Sequence, residues 1–527
     1  MSRLGFWVAA ALVVIVGILP LARVAWEGAG DGWWDVVLDE ESRSALVATL
    51  KLALATTALA LLIGGAFAWL SMRTDLPGRR VLRTLLTVPY IVPPYISAVA
   101  WINLANPQVG LLNVLLGEGV LNVYSFGGLT WVLALSFYPY VLLTVRAALE
   151  NSDPALEDAA RMSGAGTWRV FRDVSLPLMR PALATSGGLV FMATASAYGA
   201  PALLGAPARI DVLSTRIYES LTSDLDGLRQ ASALATLLFG FALVPLLVRA
   251  RRHAVVSGKA SRPSVVRLGR ARFPVVLGVW SFVLIAVVLP ALAVCGTAFF
   301  RIAGDFSFDN LTSENFNVLQ RREIRDALLT SVGLAVGAAT VAVVLGGLVA
   351  FLAIKTRHRG RGLVFGLSAI PLATPGTVLA IGLILLWTRP IDLRNTVWIM
   401  LIAYVAKYVA LAARAIGEGL GTIDDVLSDA ARMSGAGGWL RLRTIWVPLV
   451  LPSIVAGWFL VFMPSFSELT MSLILAGPGL DTIGTRMWEL QEYEGPTAAS
   501  VLATVVLGLV ITSNIVLRVV SRGRYGI

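Results

Sequence analysis

The sequence predicts an all-α polytopic membrane protein of about 12 transmembrane helices, arranged as two homologous six-helix halves. Three observations carry that expectation. The 527 residues are 57% hydrophobic and only 14% charged, with a mean hydropathy of +0.77, too apolar for a soluble domain. Apolar runs of spanning length recur along the whole chain. And the nine residues Asp158-Ala-Ala-Arg-Met-Ser-Gly-Ala-Gly166 return unchanged from Asp429 to Gly437, an offset of 271.

Taken in order, the apolar runs predict spans near 5–26, 45–71, 82–104, 127–148, 182–204 and 230–249, then 273–299, 327–354, 363–387, 394–416, 449–475 and 497–519. The first run follows Arg3 and has the look of a signal peptide. However, Ile18-Leu19-Pro20 has a counterpart in Val288-Leu289-Pro290, so this run belongs to the repeat and is expected to be retained. Ala45-Leu46 matches Ala327-Leu328, Gly64-Gly65 matches Gly346-Gly347, and Pro89 and Pro93 match Pro371 and Pro375, all at offset 282. Arg146 and Glu150 match Arg414 and Glu418 at offset 268. The expected division is a first half at 1–250, a basic linker at 251–272 and a second half at 273–527.

The net charge of +11 is spread through short loops rather than gathered in a patch interleaved with aromatics, which speaks against a nucleic-acid partner. Residues 249–272 hold eight Lys or Arg and no Asp or Glu. The turns at 73–84 and 355–361 are also basic, as is the tail at Arg518, Arg522 and Arg524. Asp31, Asp35, Asp39, Glu40 and Glu41 after the first run, and Asp481, Glu489, Glu492 and Glu494 before the last, mark the opposite side. Both termini are therefore expected in the cytoplasm, with the linker near anionic lipid headgroups.

No catalytic chemistry presents itself. Cys295, His253 and His358 cannot build a disulfide framework or a metal site. There is no G-x-x-x-x-G-K-[ST]. The nearest fragment, Gly258-Lys259-Ala260, lacks both the upstream glycine and the hydroxyl that reaches Mg²⁺. The chain itself is expected to bind no cofactor and to hydrolyse no ATP.

Each copy of the repeated nonapeptide reads as helix, glycine turn, helix. Asp153-Pro154 and Asp424 supply caps, and Gly164 and Gly435 allow the positive φ of a tight reversal. Ala159-Ala160 and Ala430-Ala431 leave flat faces suited to a partner's groove. Downstream, Val174, Leu176 and Pro177 are answered by Ile445, Val447 and Pro448. These residues resemble the cytoplasmic EAA loop of membrane permeases of binding-protein-dependent ABC importers, with Asp158 and Asp429 in the acidic place and Val447 departing from the usual Leu. The resemblance implies a type I importer-like fold in a bacterial cytoplasmic (inner) membrane. It also implies that the loops near 153–177 and 424–448 couple to two ABC ATPase subunits, which carry the ATP and Mg²⁺. An extracytoplasmic solute-binding protein would dock on the loops at 27–44, 203–229, 300–326 and 476–496.

Candidates for the translocation path are Pro89, Pro93, Pro371 and Pro375, which remove helical hydrogen bonds inside apolar runs. Ser467 and Glu468, with Ser196 and Tyr198 at the corresponding place of the first half, complete the set. A carboxylate centred in a span costs about 2.5–3.5 kcal/mol, so Glu468 is expected to face protein or water, with Lys407 as an available partner. Tyr138-Pro139-Tyr140, Glu468, the stretch 197–205 and Thr215-Arg216-Ile217-Tyr218 narrow the resemblance to the iron(III)-transport permeases. Permeases for thiamine, polyamines and aminophosphonates share much of this pattern. An ion-coupled secondary transporter is the competing class, but it leaves the duplicated helix-turn-helix unexplained.

Overall fold

The protein is described by a computed structural model covering residues 3–30, 32–223, 227–249, 265–305, 307–356, 358, 360–388 and 391–520. Most of the expected linker and the tail at Arg522 and Arg524 lie outside the described residues.

Helices dominate. Among the described residues there is no strand, only isolated bridges at Thr74–Val266 and Phe300–Leu311. Among the described residues, eight helices are long and apolar enough to cross a membrane: Phe6–Gly28, Glu40–Arg73, Phe126–Glu150, Gly269–Thr297, Arg322–Lys355, Val397–Gly421, Gly438–Phe466 and Pro496–Val519. The expected third and ninth spans are not single helices with a kink. Val81–Tyr90 with Pro94–Ala105, and Arg361–Ala373 with Gly376–Leu386, are pairs bent by 103° and 109°. The fifth and sixth expected spans are helical over Leu176–Ala195 and Gly227–Arg249, the former diluted by Pro177, Arg180 and Pro181. Two expected spans also end early. The helix ending at Ala195 gives way to a separate turn at Pro201–Gly205, and the one ending at Phe466 to a short helix Thr470–Leu475.

The halves are built alike. In each, a 34-residue helix, Glu40–Arg73 or Arg322–Lys355, runs about 51 Å at 1.5 Å per residue, long enough to cross the apolar layer and project beyond it. Each packs against the fourth and fifth helices of its half. Matched glycines bring the backbones together: a Cβ on Gly64 would lie 2.6 Å from the Tyr138 carbonyl, and one on Gly346 2.8 Å from the Ala413 nitrogen. Small residues of this kind let membrane helices pack by van der Waals contact where no hydrophobic force drives them. Matched hydrogen bonds lie nearby. Thr49 Oγ1 accepts from Leu213 N at 2.8 Å, and Ser331 Oγ accepts from Ile483 N at 2.8 Å.

The first helix of each half packs across the molecule on the other half. Gly382 of the second half touches the Pro20 carbonyl so closely that a Cβ would sit 2.4 Å away, and Leu21 and Val24 join a core cluster that includes Val378, Leu379 and Leu383 of the second half. Reciprocally, Phe282 packs on Phe67 at 4.6 Å and on Tyr138 at 5.6 Å, and Val279, Val283 and Val294 join a core cluster that includes Leu129, Val132 and Val141 of the first half.

One local rule explains four irregular turns. Val14–Ile18, Phe171–Ser175, Leu284–Val288 and Leu442–Trp446 are π-helical, and each runs directly into a helix whose second residue is proline: Pro20, Pro177, Pro290 and Pro448. Proline brings no N–H to the ladder and its ring pushes against the preceding turn, so the helix widens by one residue to accommodate it.

Candidate coupling segments and central path

The two repeated segments fold as the same unit. Helices Ala155–Met162 and Asp425–Met433 lead through a glycine turn into Thr167–Val170 and Gly438–Arg441. Asp153 Oδ1 accepts from Ala155 N at 2.9 Å, and Asp424 Oδ1 from Val426 N at 3.0 Å. Gly164 and Gly435 have φ of +82° and +77°, with open space around each Cβ position. It is therefore backbone conformation, not crowding, that requires glycine there. Asp158 and Asp429 are exposed and pair within their own helices with Arg161 and Arg432, at 2.9 and 3.3 Å. Ala159 and Ala430 are exposed, and Ala160 and Ala431 half-buried. Leu176-Pro177 and Val447-Pro448 open the membrane helices that follow, the first pair half-buried and the second exposed.

Beside these residues stand four large apolar side chains that the chain leaves uncovered. Met162 and Met433 are 90% and 89% exposed, Trp168 and Trp439 72% and 74%. The pairs are related by the 271-residue offset. Matched, exposed methionine and tryptophan on a short helix form a surface that gains by contact with another protein.

The two segments are fastened differently. In the first half Arg73, at the end of its long helix, is only 1% exposed and bonds through Nε to Glu157 Oε1 at 3.1 Å, itself 1% exposed. Arg73 also donates to the Leu149 carbonyl at 3.1 Å and to Ser152 Oγ at 2.7 Å, while Ser175 Oγ donates to the same Glu157 oxygen at 2.9 Å. In the second half Ser428 stands in place of Glu157 and accepts from Arg441 at 3.0 Å. Lys355 instead reaches the Ile423 carbonyl at 2.8 Å and the exposed Asp425 at 2.6 Å. Sequence reading passed over Glu157 because the adjacent Asp158 occupies the acidic place of the motif. The available signal was Arg73, a cation closing a long apolar run.

At the centre, the prolines make turns rather than kinks. Pro89 lies buried in the turn Val88–Tyr90 and Pro371 in Ile370–Ala373. Pro93 and Pro375 are extended, with φ/ψ of −57°/141° and −53°/138°. The carbonyls freed by the bends are taken by the fourth helix of each half: Tyr138 Oη donates to Leu86 O at 2.7 Å, and Lys407 Nζ donates to Thr374 O. Lys407 therefore serves the backbone at the bend, and of the partners available to Glu468 the structure hydrogen-bonds it to Tyr408 rather than Lys407.

Glu468 sits in the break between Val447–Phe466 and Thr470–Leu475 and is half-buried. Its Oε1 accepts from Met471 N at 3.1 Å, and its Oε2 accepts from the Tyr408 hydroxyl. Ser467 closes its own helix, donating to Met463 O at 3.1 Å. In the first half Ser196 ends the corresponding helix, and Tyr198 is buried with its ring 5.3 Å from that of Tyr218. Sequence reading missed Tyr95, Tyr404 and Tyr408, which are buried around this break. The signal was there in Tyr404 and Tyr408, polar aromatics four residues apart in an apolar helix.

A repeated helix-turn-helix with uncovered apolar tips at one end of a two-half membrane bundle is a recognisable arrangement. The sequence matches the description "binding-protein-dependent transport system inner membrane component" twice, over residues 57–253 and 324–524. The chain belongs to this family. The Fe(3+)-transport system permease protein of Haemophilus influenzae is 24% identical over 454 residues, covering 84% of this chain and 83% of that one. The ferric transport system permease protein of Actinobacillus pleuropneumoniae is 27% identical over 374 residues, 67% of this chain but only 52% of its own length. The molybdenum transport system permease of Escherichia coli is 28% identical over 218 residues and aligns with 40% of this chain, the extent of a single half. Among solved structures, a bacterial alginate ABC transporter in complex with alginate pentasaccharide-bound periplasmic protein aligns with 42% of this chain, at a TM-score of 0.34 and 20% identity.

Proposed function

We propose that this permease forms the membrane path of an ATP-driven importer of ferric iron. The observation that carries the reading is the double family match over both halves, taken with similarity over most of the chain to permeases named for ferric transport. Two separate ATPase subunits dock on the segments near 153–177 and 424–448, with Met162, Trp168, Met433 and Trp439 as their apolar contacts. They carry the ATP and Mg²⁺, and this chain contributes no hydrolytic residue. Closure of the ATPases pushes on both segments and switches the path from inward- to outward-facing. A solute-binding protein delivers cargo at the loops 27–44, 203–229, 300–326 and 476–496. Both termini then lie in the cytoplasm of a bacterial inner membrane.

Purifying the chain from its native membrane tests the energy source: an ATPase should co-purify, whereas solute uptake driven by an ion gradient without one would establish a secondary transporter. Uptake of radiolabelled ferric iron by cells carrying or lacking the chain tests the cargo, with thiamine, polyamine and aminophosphonate uptake as the alternatives. A reporter at residue 258 should be cytoplasmic, and one at 35 or 485 external.

A further inference from the structure

We infer that the centre of the molecule holds a transit site for a hard, oxygen-seeking cation, built from the Glu468 carboxylate and the phenols of Tyr95, Tyr404 and Tyr408. The inference rests on the importer reading and adds a ligand set to it.

Both halves contribute. Tyr404 and Tyr408, one turn apart, lie on one face of Val397–Gly421. The Tyr408 hydroxyl donates to Glu468 Oε2. Tyr404 Oη is hydrogen-bonded to Ser472 Oγ at 2.6 Å, and Ser472 Oγ donates to the Glu468 backbone carbonyl at 2.7 Å. Tyr95 comes from the other half, as the second residue of Pro94–Ala105, directly after the 103° bend. A Cβ added to Gly199 would meet Tyr95 Cβ and Leu469 Cδ2, each at 2.7 Å, so the Tyr95 ring is wedged beside the residue that follows Glu468.

The Tyr95 hydroxyl is buried and has no hydrogen-bond partner among the described residues. Leaving a buried hydroxyl unsatisfied costs about 1–3 kcal/mol, and such exceptions call for a role. The matched residue of the second half, Thr377 at offset 282, is likewise buried with an unpartnered hydroxyl. Each bent pair thus presents an unsatisfied oxygen at the same position of its turn.

Carboxylate and phenolate oxygens suit hard, highly charged cations. When the cation takes Tyr408 and Glu468 together, the proton now shared between them leaves to water, and the cation stands where that proton stood. Lys407 donates to the Thr374 carbonyl and makes no direct ion pair with Glu468 among the described residues, so both carboxylate oxygens remain with Tyr408 and Met471 N, although the nearby ammonium still attracts the carboxylate. Reprotonation of the Tyr408 phenolate restores the phenol–carboxylate hydrogen bond and lets the ion move on.

The full-length chain in lipid nanodiscs, titrated with ferric nitrilotriacetate, gives the test. Iron(III) bound to phenolate absorbs visible light, and the wild type should develop a saturable band. Tyr408→Phe and Tyr95→Phe should each lose intensity, and Glu468→Gln should weaken the titration by about tenfold or more, the scale of one charged hydrogen-bonding oxygen. Tyr138→Phe, whose hydroxyl serves Leu86 instead, should match the wild type. Spectra are compared for protein that elutes as wild type, and the single Tyr→Phe changes keep ring and packing. No band in the wild type, a band surviving in the combined Tyr95→Phe, Tyr404→Phe, Tyr408→Phe chain, or equal loss in Tyr138→Phe overturns the site. The importer reading is judged separately, by whether an ATPase accompanies the wild-type chain.

Discussion

The two halves share a plan and differ where they meet the outside. The first holds its copy of the repeated segment by a buried Arg73–Glu157 pair with Ser152 and Ser175 as further partners. The second holds it by Lys355 reaching a carboxylate 79% exposed to solvent. At the centre the relation reverses: the second half carries Glu468, and the first has Ala197 at that position. Duplication fixes the backbone plan, while single positions such as 157 and 428, or 197 and 468, give the two copies different side-chain contacts.

The largest effect expected from that asymmetry is at Glu157. Glu157→Ala leaves the Arg73 guanidinium buried without its charge partner, which costs about 3–5 kcal/mol. Thermal unfolding of the purified chain should show a lower midpoint, and Ser428→Ala should barely move it. An equal loss at both positions would erase the distinction between the segments.

Next come the turns. Gly164→Val and Gly435→Val each force a β-branched residue into the left-handed region at a cost of about 1 kcal/mol or more. The double variant should insert in the membrane yet fail in uptake, and each single variant should retain part of the co-purifying ATPase. Normal uptake by the double variant would remove the coupling role, and complete loss of ATPase from either single variant would mean that the two sites assemble cooperatively.

Lys355→Met should cost at most about 1 kcal/mol, because its partner is solvated. The same assay that reads Glu157→Ala would then sharpen the contrast between a pair buried at both ends and one in which only Lys355 is buried while Asp425 is solvated. Smallest of all is Asp158→Asn. Its pair with Arg161 is an exposed i,i+3 contact, worth about 0.2–0.5 kcal/mol. A large loss of stability there would show that the motif's acidic position, rather than Glu157, fastens the segment.

Much of this was legible along the chain. Apolar run length gave eight of the twelve expected spans as single spanning helices among the described residues, since a bilayer demands about 20 consecutive apolar residues whatever the fold. The nonapeptide at 158–166 and 429–437 gave the paired helix-turn-helix, because capping residues and glycine act on their own backbone. The bends at Pro93 and Pro375 were legible as breaks but not as turns of 103° and 109°, since proline removes a hydrogen bond without dictating where the next helix goes.

The sequence by itself determined the membrane class, the twofold repeat and the glycine turns of the repeated segment, all of them properties of composition or of residues within a few positions of one another. Tertiary structure alone decided that each first helix packs on the opposite half. It alone decided that Arg73 meets Glu157 across 84 positions, and that Tyr408 rather than Lys407 meets Glu468. Those outcomes depend on which helix faces come together in three dimensions, and in an apolar medium that is settled by close packing and by the need to satisfy each buried polar group.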